Sequence, residues 1–361
     1  MTEFIKGKEL CRDFFHQIAQ PCIARHFPRL RYSSGLLGYG SDILGYDDPV
    51  STDHMWGPRF YLFLQEEDEG LQPQLEEIFS REFTYQFRGY SVHFSPPDPN
   101  DAGVRHAEPL SQGRVNPLVF FYTVDSYLDF YLGTHQLEQL TSIQWLSLSE
   151  HRLLALSLAE FYTDQLHMAQ RLEKIRYYPQ DVWLYLLASN WYLAAEEQAF
   201  VKRCGSTGDE LGSALACSRI ADRLMRLGFL YCKRYAPYSK WFGRAFQELP
   251  LPQDLKEAVK TAVLAGSIQQ REQPLVYAQQ RMAHLHNQLG LTEPVSEEIV
   301  PYFGRDISVI FADRIAQAIR RKLVGTPLEK APLIGTLSQV PNFTNLYEDV
   351  GRRPQVEQLY R

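Results

Sequence analysis

The sequence has few cysteines, and their arrangement excludes two kinds of small protein. Five cysteines are spread over 361 residues, an odd number that cannot all pair. None stands in a CxxC spacing, which argues against zinc sites built on that motif, and there is no even framework for a disulfide-stapled scaffold. We therefore expect these cysteines to be reduced and mostly packed.

Long hydrophobic runs are also missing. The longest apolar stretch, residues 182–195, is interrupted by Ser189 and Asn190, and it is shorter than the roughly 20 residues that a membrane crossing needs. The first 15 residues carry Glu and Lys where a secretory signal has an unbroken apolar segment. We expect a cytoplasmic protein without a membrane partner.

There is no excess of positive charge and no standard phosphate-binding motif. The net charge is −6 and the pI about 6.0, which argues against bulk nucleic-acid binding but leaves a local basic groove possible. Ile43 stands where GxGxxG needs its third glycine, and GxxxxGK[ST] and GxSxG do not occur. Dinucleotide binding, P-loop chemistry and a hydrolase nucleophile are therefore disfavoured.

The patterns that are present predict an α+β protein of two domains and a tail. A helix over residues 6–27 and strands at 35–39, 59–64, 90–94 and 117–124 suggest a mixed first domain, residues 1–140, with a helix at 71–87. Helices follow one another over 149–324, beginning with a long one from Ser149 to about residue 175. Residues 325–361, which include Pro327, Pro332 and Pro341, are predicted to form an extended tail.

The segment 38–59 is rich in glycine and aspartate. Gly40 and Ser41 follow a short apolar strand, and Asp53 precedes the next one. A small-residue turn can aim backbone N–H groups at phosphate, and carboxylates hold the Mg²⁺ that neutralises it. This reading predicts a phosphate-and-metal site. The alternative is a surface loop in which glycine and aspartate make turns.

Residues 39–64, 177–246 and 284–291 resemble an uncharacterised bacterial family, a domain of unknown function, that is placed with the polymerase-beta-type nucleotidyltransferases. The resemblance implies a nucleotidyltransferase-like first domain with Mg²⁺ (or Mn²⁺) held by an Asp-x-Asp pair and a third carboxylate. Gly40, Ser41 and Asp53 match the turn and the first acid. Met55 occupies the position of the second acid, and Asp125 is the first acid after the strand expected to carry the third.

Since a thioether does not replace a carboxylate for Mg²⁺, Asp42, Asp47 or Asp48 would have to complete the site. The predicted catalytic residues are Asp53, His54 and Asp42, of which Asp53 and Asp42 would hold the metal. The predicted nucleotide-binding residues are Gly40, Ser41, Arg59, Arg223 and Lys240.

Two features of the helical part have both a functional and a structural interpretation. Arg219, Arg223 and Arg226 lie at i, i+4 and i+7 on one helix face, which suits phosphate but also suits salt bridges to Asp209, Glu210 and Asp222. The adjacent acids at 196 and 197 would supply a general base or form a solvated pair.

Three functions follow from these residues. The first is a metal-dependent transferase that moves a nucleoside monophosphate from an NTP, expected to be ATP, to an unidentified hydroxyl acceptor. The second is a pseudoenzyme that binds a nucleotide or a protein partner without transfer. The third, by analogy within the superfamily alone, is a toxin–antitoxin-type nucleotidyltransferase.

Overall fold

The computed structural model describes residues 4–52, 55–101, 103–340, 346 and 348–361. The chain forms two compact units. The first contains Met1–Gln139 and Ala155–Arg176, and the second contains Leu140–Leu154 and Tyr177–Arg361. None of the described helices combines the length and the apolar character needed to cross a membrane.

The first unit combines helices with a four-stranded sheet. A π-helix, Phe15–Ala19, joins its first two helices into the single helix predicted over 6–27. The helices are α1 (Gly7–Phe14), α2 (Gln20–His26), α3 (Gln72–Glu82) and α4 (Val124–Leu132). The strands are β1 (Tyr32–Leu36), β2 (Arg59–Leu64), the short pair β3 (Gln86–Phe87) and β4 (Tyr90–Ser91), and β5 (Leu118–Tyr122).

The sheet has the order β5, β2, β1, β6, where β6 is Glu160–Asp164. Strand β1 runs antiparallel to β2 and β6, and β2 runs parallel to β5. All six residues of β2 are buried, as a continuous apolar strand between two neighbours requires. The predicted α+β class and the predicted strand at 59–64 are confirmed.

Strand β6 corrects the sequence interpretation of residues 149–175 as one long helix. That segment forms α6 (Glu150–Ser157), β6 and α7 (Met168–Leu172). The carboxylate of Asp164 accepts hydrogen bonds from the amides of Met168 and Ala169, and His167 has a left-handed φ of 58°. These features end the strand and start α7, and pairing with β1 outweighs local helix propensity.

An aromatic cluster forms the core of the first unit. Phe14 packs edge-on against Phe83 with ring centroids 5.4 Å apart, and Phe79 stacks on Phe83 at 4.5 Å. Phe60 of β2 contacts Phe15 at 5.4 Å. Edge-to-face and offset pairs of this kind add to the stability that the buried area supplies. The core therefore fixes α1, α3 and β2 against one another.

The second unit is mainly helical. Its helices are α5 (Ser142–Ser147), the first part of α6, α8 (Gln180–Glu197), α9 (Phe200–Ser206), α10 (Glu210–Tyr231), α11 (Ser239–Gln247), α12 (Gln253–Leu264), α13 (Ile268–Gln288), α14 (Asp313–Arg320) and α15 (Arg353–Glu357). A short strand pair, β7 (Val300–Pro301) and β8 (Ser308–Val309), accompanies them. Helix α8 packs against α10 and α14, and the predicted face at Trp183, Leu187 and Trp191 is buried.

Residues 325–361 are not extended throughout, because they include α15 and short 3-10 helices. The amide of Leu337 donates to the carbonyl of Leu146, and Gln339 donates to Asn190 Oδ1 at 2.7 Å. Arg353 and Tyr360 are buried. The described part of this segment therefore packs against the second unit and buries several of its side chains there.

Candidate functional site

The loop between β1 and β2 contains a buried ion pair. Asp42 and Arg59 have side chains that are each 1% exposed, with Arg59 Nη1 2.8 Å from Asp42 Oδ2 and Nη2 donating to Oδ1 at 3.0 Å. Arg59 also donates to the carbonyls of Tyr39 and Met55 at 3.1 and 2.9 Å. Burial alone would lower the pKa of Arg59, but the adjacent Asp42 carboxylate is the largest of the effects that oppose burial, and this pKa lies well above its ordinary value. Arg59 thus remains charged inside the protein.

The predicted phosphate turn serves this pair. Gly40 has φ +124°, and a Cβ at this position would overlap the Asp42 carboxylate and crowd Arg59 Nη2. Ser41 Oγ donates to the carbonyl of Ser51 at 3.1 Å, which closes the loop. Glycine is required here because the backbone is left-handed and the carboxylate lies directly against it. The contacts that Gly40 and Ser41 make are internal ones.

The other acids of the loop have structural contacts as well. Asp47 is buried and accepts from the amide of Gly7 at 2.7 Å and from Trp56 Nε1 at 3.2 Å. Asp48 caps a turn by accepting from the amides of Val50 and Ser51, and these bonds hold its pKa below the ordinary value. Asp48 agrees with the turn-making alternative, whereas Asp47 is a buried residue that connects the loop to α1 and Trp56.

The described residues of this loop do not fit a magnesium ion. Both oxygens of Asp42 face the guanidinium of Arg59, and the Met55 sulfur accepts a hydrogen bond from the Tyr39 hydroxyl at 2.8 Å. Within the described residues, the loop brings no three His, Cys, Asp or Glu side chains together closely enough to hold one ion. Asp53 and His54 lie outside the described residues. Asp125 forms an ion pair with Arg171 at 2.5 Å.

The arginines of α10 form salt bridges. Arg223 and Arg226 both contact Asp222 Oδ2, at 2.9 and 3.1 Å, as the structural interpretation predicts for this acid. Arg219 contacts Glu197 at 2.7 Å. The other two predicted partners act elsewhere, because Asp209 caps α10 and Glu210 pairs with Arg271. Lys240 is exposed and lies 5.0 Å from the ring of Trp241.

A cavity of about 230 Å³ lies in the second unit, between the start of α6, the middle of α10 and the start of α11. Its polar lining residues are Glu150, His151, Asp222, Arg226, Tyr238, Ser239 and Ser338. Phe242 and Gly243 complete one wall. A polar cavity of this size has room for several waters or one small ring system.

The charges around this cavity balance. Glu150, 6% exposed, accepts from the amide of Ala236 at 3.1 Å and lies 3.5 Å from Arg226 Nη1. Burial raises the pKa of Glu150, and Arg226 opposes that shift. Burial lowers the pKa of His151 to about 4, so its imidazole is neutral at pH 7. Two acids, Glu150 and Asp222, therefore pair with two arginines: Arg226 lies beside both acids, and Arg223 contacts Asp222.

Two groups of the cavity suit a planar, hydrogen-bonding ligand. The buried Nδ1 of His151 has no hydrogen-bond partner among the described residues. The rings of His151 and Tyr238 lie edge to face at 4.7 Å, and the Phe242 ring lies 5.0 Å from the Arg226 guanidinium. Aromatic side chains of this kind provide stacking surfaces, and a neutral imidazole provides a donor or an acceptor.

Sequence reasoning missed Glu150 and His151. They directly follow Ser149 and occupy the first turn of α6, where an acid is expected on a solvent-exposed helix start. The sequence carries no periodic signal that separates a buried first turn from an exposed one. Arg226 was identified, but as part of a stripe with Arg219 and Arg223, and only Arg226 lines the cavity.

Comparisons with known proteins give two similarities. No curated protein matches the chain. A crystal structure of a nucleotidyltransferase-like protein from Exiguobacterium sibiricum 255-15 is similar to 94% of this chain and 89% of its own, with 11% identity and a TM-score of 0.35. Residues 145–242, which include most of the cavity lining, match the family described as a domain of unknown function (DUF4037), so the resemblance to such a family is confirmed for that segment.

Proposed function

We propose that this protein binds a nucleotide without metal-dependent transfer, the second of the functions derived from the sequence. The observation that carries the proposal is the buried pair of Asp42 and Arg59, each 1% exposed. A transferase of the predicted kind would need Asp42 as a metal ligand and Arg59 on the triphosphate. In this structure the two side chains form an ion pair with each other instead.

The energy of the pair argues against its opening during a reaction. Breaking a buried ion pair costs about 3–5 kcal/mol because a charge is left without a partner. At about 1.4 kcal/mol for each factor of ten, a ligand that had to open the pair would lose roughly two to four powers of ten in affinity. Since the described acids of the loop do not fit Mg²⁺, we derive no transfer step through a metal.

For the ligand we propose that the base of ATP or a related nucleotide occupies the cavity of the second unit. The balanced charges of Glu150, Asp222 and the two arginines do not favour a triphosphate there. The rings of Tyr238 and Phe242, which line the cavity, suit a base, because stacking on aromatic rings tolerates any base. Exposed Lys240 directly follows the lining residue Ser239, and we propose that it contacts phosphate.

The first experiment separates binding from transfer. Labelled ATP would be incubated with the protein and Mg²⁺ or Mn²⁺ while the unfolding temperature is measured with and without metal, for wild type and Asp53→Asn. We expect no labelled product, and an ATP-induced shift that is the same without metal and in the variant. A metal-dependent product, or a shift that Asp53→Asn removes, would favour the transferase.

The second experiment locates the ligand. A Cβ at Gly243 meets no heavy atom within 4 Å, so Gly243→Ala is tolerated and is the matched control for Gly243→Phe, which adds a ring to this wall of the cavity. We expect saturation-transfer NMR to show that adenosine and ATP bind wild type and Gly243→Ala but not Gly243→Phe. Lys240→Ala should weaken ATP and leave adenosine unchanged. Equal adenosine binding by all variants would rule out this cavity.

A further inference from the structure

Three metal-ligating side chains meet in the first unit, away from the loop between β1 and β2. Cys22 and His26 lie four residues apart on α2, and Glu82 is the last residue of α3. His26 Nε2 is 2.6 Å from Glu82 Oε1, and Cys22 Sγ is 3.8 Å from Glu82 Oε2. One ligand atom of each residue lies within 4.8 Å of the other two.

We propose that Cys22, His26 and Glu82 bind one divalent ion of the zinc class. A thiolate, an imidazole and a carboxylate are the three side-chain ligands that zinc uses, at about 2.0–2.3 Å. Residues at i and i+4 project from the same face of a helix, which lets Cys22 and His26 reach one ion. The soft sulfur excludes Mg²⁺ and Ca²⁺ as the preferred occupants.

The surroundings provide what a zinc site of this type needs. Cys22 is 5% exposed, whereas the side chains of His26 and Glu82 are each 32% exposed. The buried sulfur anchors the ion, and the open side leaves a fourth position for water. Arg25 Nη1 lies 2.9 Å from Glu82 Oε2, so one carboxylate oxygen is held while Oε1 faces His26. Such outer contacts orient metal ligands.

The ion requires only small movements. It takes the place of the proton between His26 Nε2 and Glu82 Oε1, and the 2.6 Å separation of these atoms widens to about 3.3 Å for tetrahedral ligands at about 2.0–2.1 Å from zinc. Metal binding releases to solvent the Cys22 thiol proton and the proton shared by His26 and Glu82. The charges of the thiolate and the carboxylate together then balance the ion. The site would then join the end of α2 to the end of α3, two helices that pack on the aromatic core.

Cobalt provides the test, because a cobalt–thiolate bond gives a charge-transfer band in the near ultraviolet. The metal-free protein would be titrated with Co²⁺, and the bound cobalt displaced with Zn²⁺ against a chromophoric chelator. We expect one ion for each chain and a thiolate band in wild type and in Cys204→Ser, the control at a partly exposed cysteine elsewhere. The band should vanish in Cys22→Ser.

If Cys22→Ser fails to fold, variants of the other two ligands, His26 and Glu82, provide the test. Removal of an outer contact already costs roughly 10- to 100-fold in metal affinity, so His26→Gln and Glu82→Gln should each lose at least about that much. Circular dichroism of each metal-free variant reports folding. Stoichiometric Co²⁺ binding without a thiolate band, affinities unchanged in His26→Gln, or no binding by wild type would each overturn the proposal.

Discussion

Replacement of Arg59 by methionine tests whether the loop between β1 and β2 is structural. Arg59→Met keeps much of the volume but leaves the Asp42 carboxylate buried, with the Ile43 amide donating to it at 3.0 Å. An uncompensated buried charge costs about 3–5 kcal/mol. For a unit of about 160 residues, each kcal/mol lowers the unfolding temperature by about 2–4 °C. We expect a loss of roughly 6–20 °C.

The double variant Asp42→Ala/Arg59→Met separates the pair from other effects of the substitution. Replacing both charges by apolar groups is often nearly neutral, so the double variant should recover most of the loss that Arg59→Met causes. Urea unfolding followed by far-ultraviolet circular dichroism gives the free energies for a double-mutant cycle. Hydrogen exchange at the β1 and β2 amides assigns the change to the first unit.

A clear result would refute this reasoning. If Arg59→Met unfolded within about 2 °C of wild type and abolished a nucleotide-dependent activity, the arginine would act on a ligand and not on Asp42. The same conclusion would follow if the losses of stability in Asp42→Ala and Arg59→Met simply added in the double variant, because the cycle would then show no coupling between the two side chains.

Three further outcomes are expected. Gly40→Ala should lower the free energy of unfolding by more than the about 1–2 kcal/mol that a left-handed alanine costs. Gly45→Ala should show only that cost, because Gly45 has φ +76° and open space around its Cβ. Equal losses of stability in urea would contradict the overlap between a Cβ at Gly40 and Asp42. Burial lowers the pKa of fully buried His286 to about 4, so its contribution is complete above pH about 6.5 and is lost toward pH 4. Between pH 7 and pH 5 the free energy of unfolding should fall by about 2 kcal/mol more in wild type than in His286→Leu, and parallel pH profiles would contradict this. Glu150→Gln should have a lower unfolding temperature than wild type, because the Ala236 amide and Arg226 lose a charged acceptor. An unfolding temperature equal to that of wild type would count against a structural role for this carboxylate.

Much of the fold could be predicted because its signals are local. The apolar run at 59–64, the helical spacing of Leu10 and Phe14, and the buried face around Trp191 each identify an element without long-range information. Strand β6 could not be predicted in this way. Its residues join β1 through hydrogen bonds to Ser33 and Leu36, more than 120 positions earlier in the chain, and no window of the sequence contains that pairing.

The candidate sites were harder to predict because the same residue types serve structure and chemistry. Gly40, Asp42 and Arg59 were identified as a group and do lie together, but as an internal ion pair, since charge and spacing alone do not reveal burial. Glu82 drew no attention because its partners on α2 are more than 50 positions away. Sequence spacing identifies ligands that are neighbours on one helix, such as Cys22 and His26. It does not identify a third ligand, such as Glu82, that a different helix supplies.

The position of β6 also determines when the first sheet can be completed during synthesis. Strands β1, β2 and β5 are made within the first 122 residues, but the partner on the open side of β1 is translated only after residues 140–154, which belong to the second unit. Until then the edge of β1 presents unpaired backbone groups on a nascent chain, a recognised route to aggregation. A protein shortened to its first 139 residues would keep that edge permanently. Completion of the first sheet therefore requires the chain through β6, which ends at Asp164.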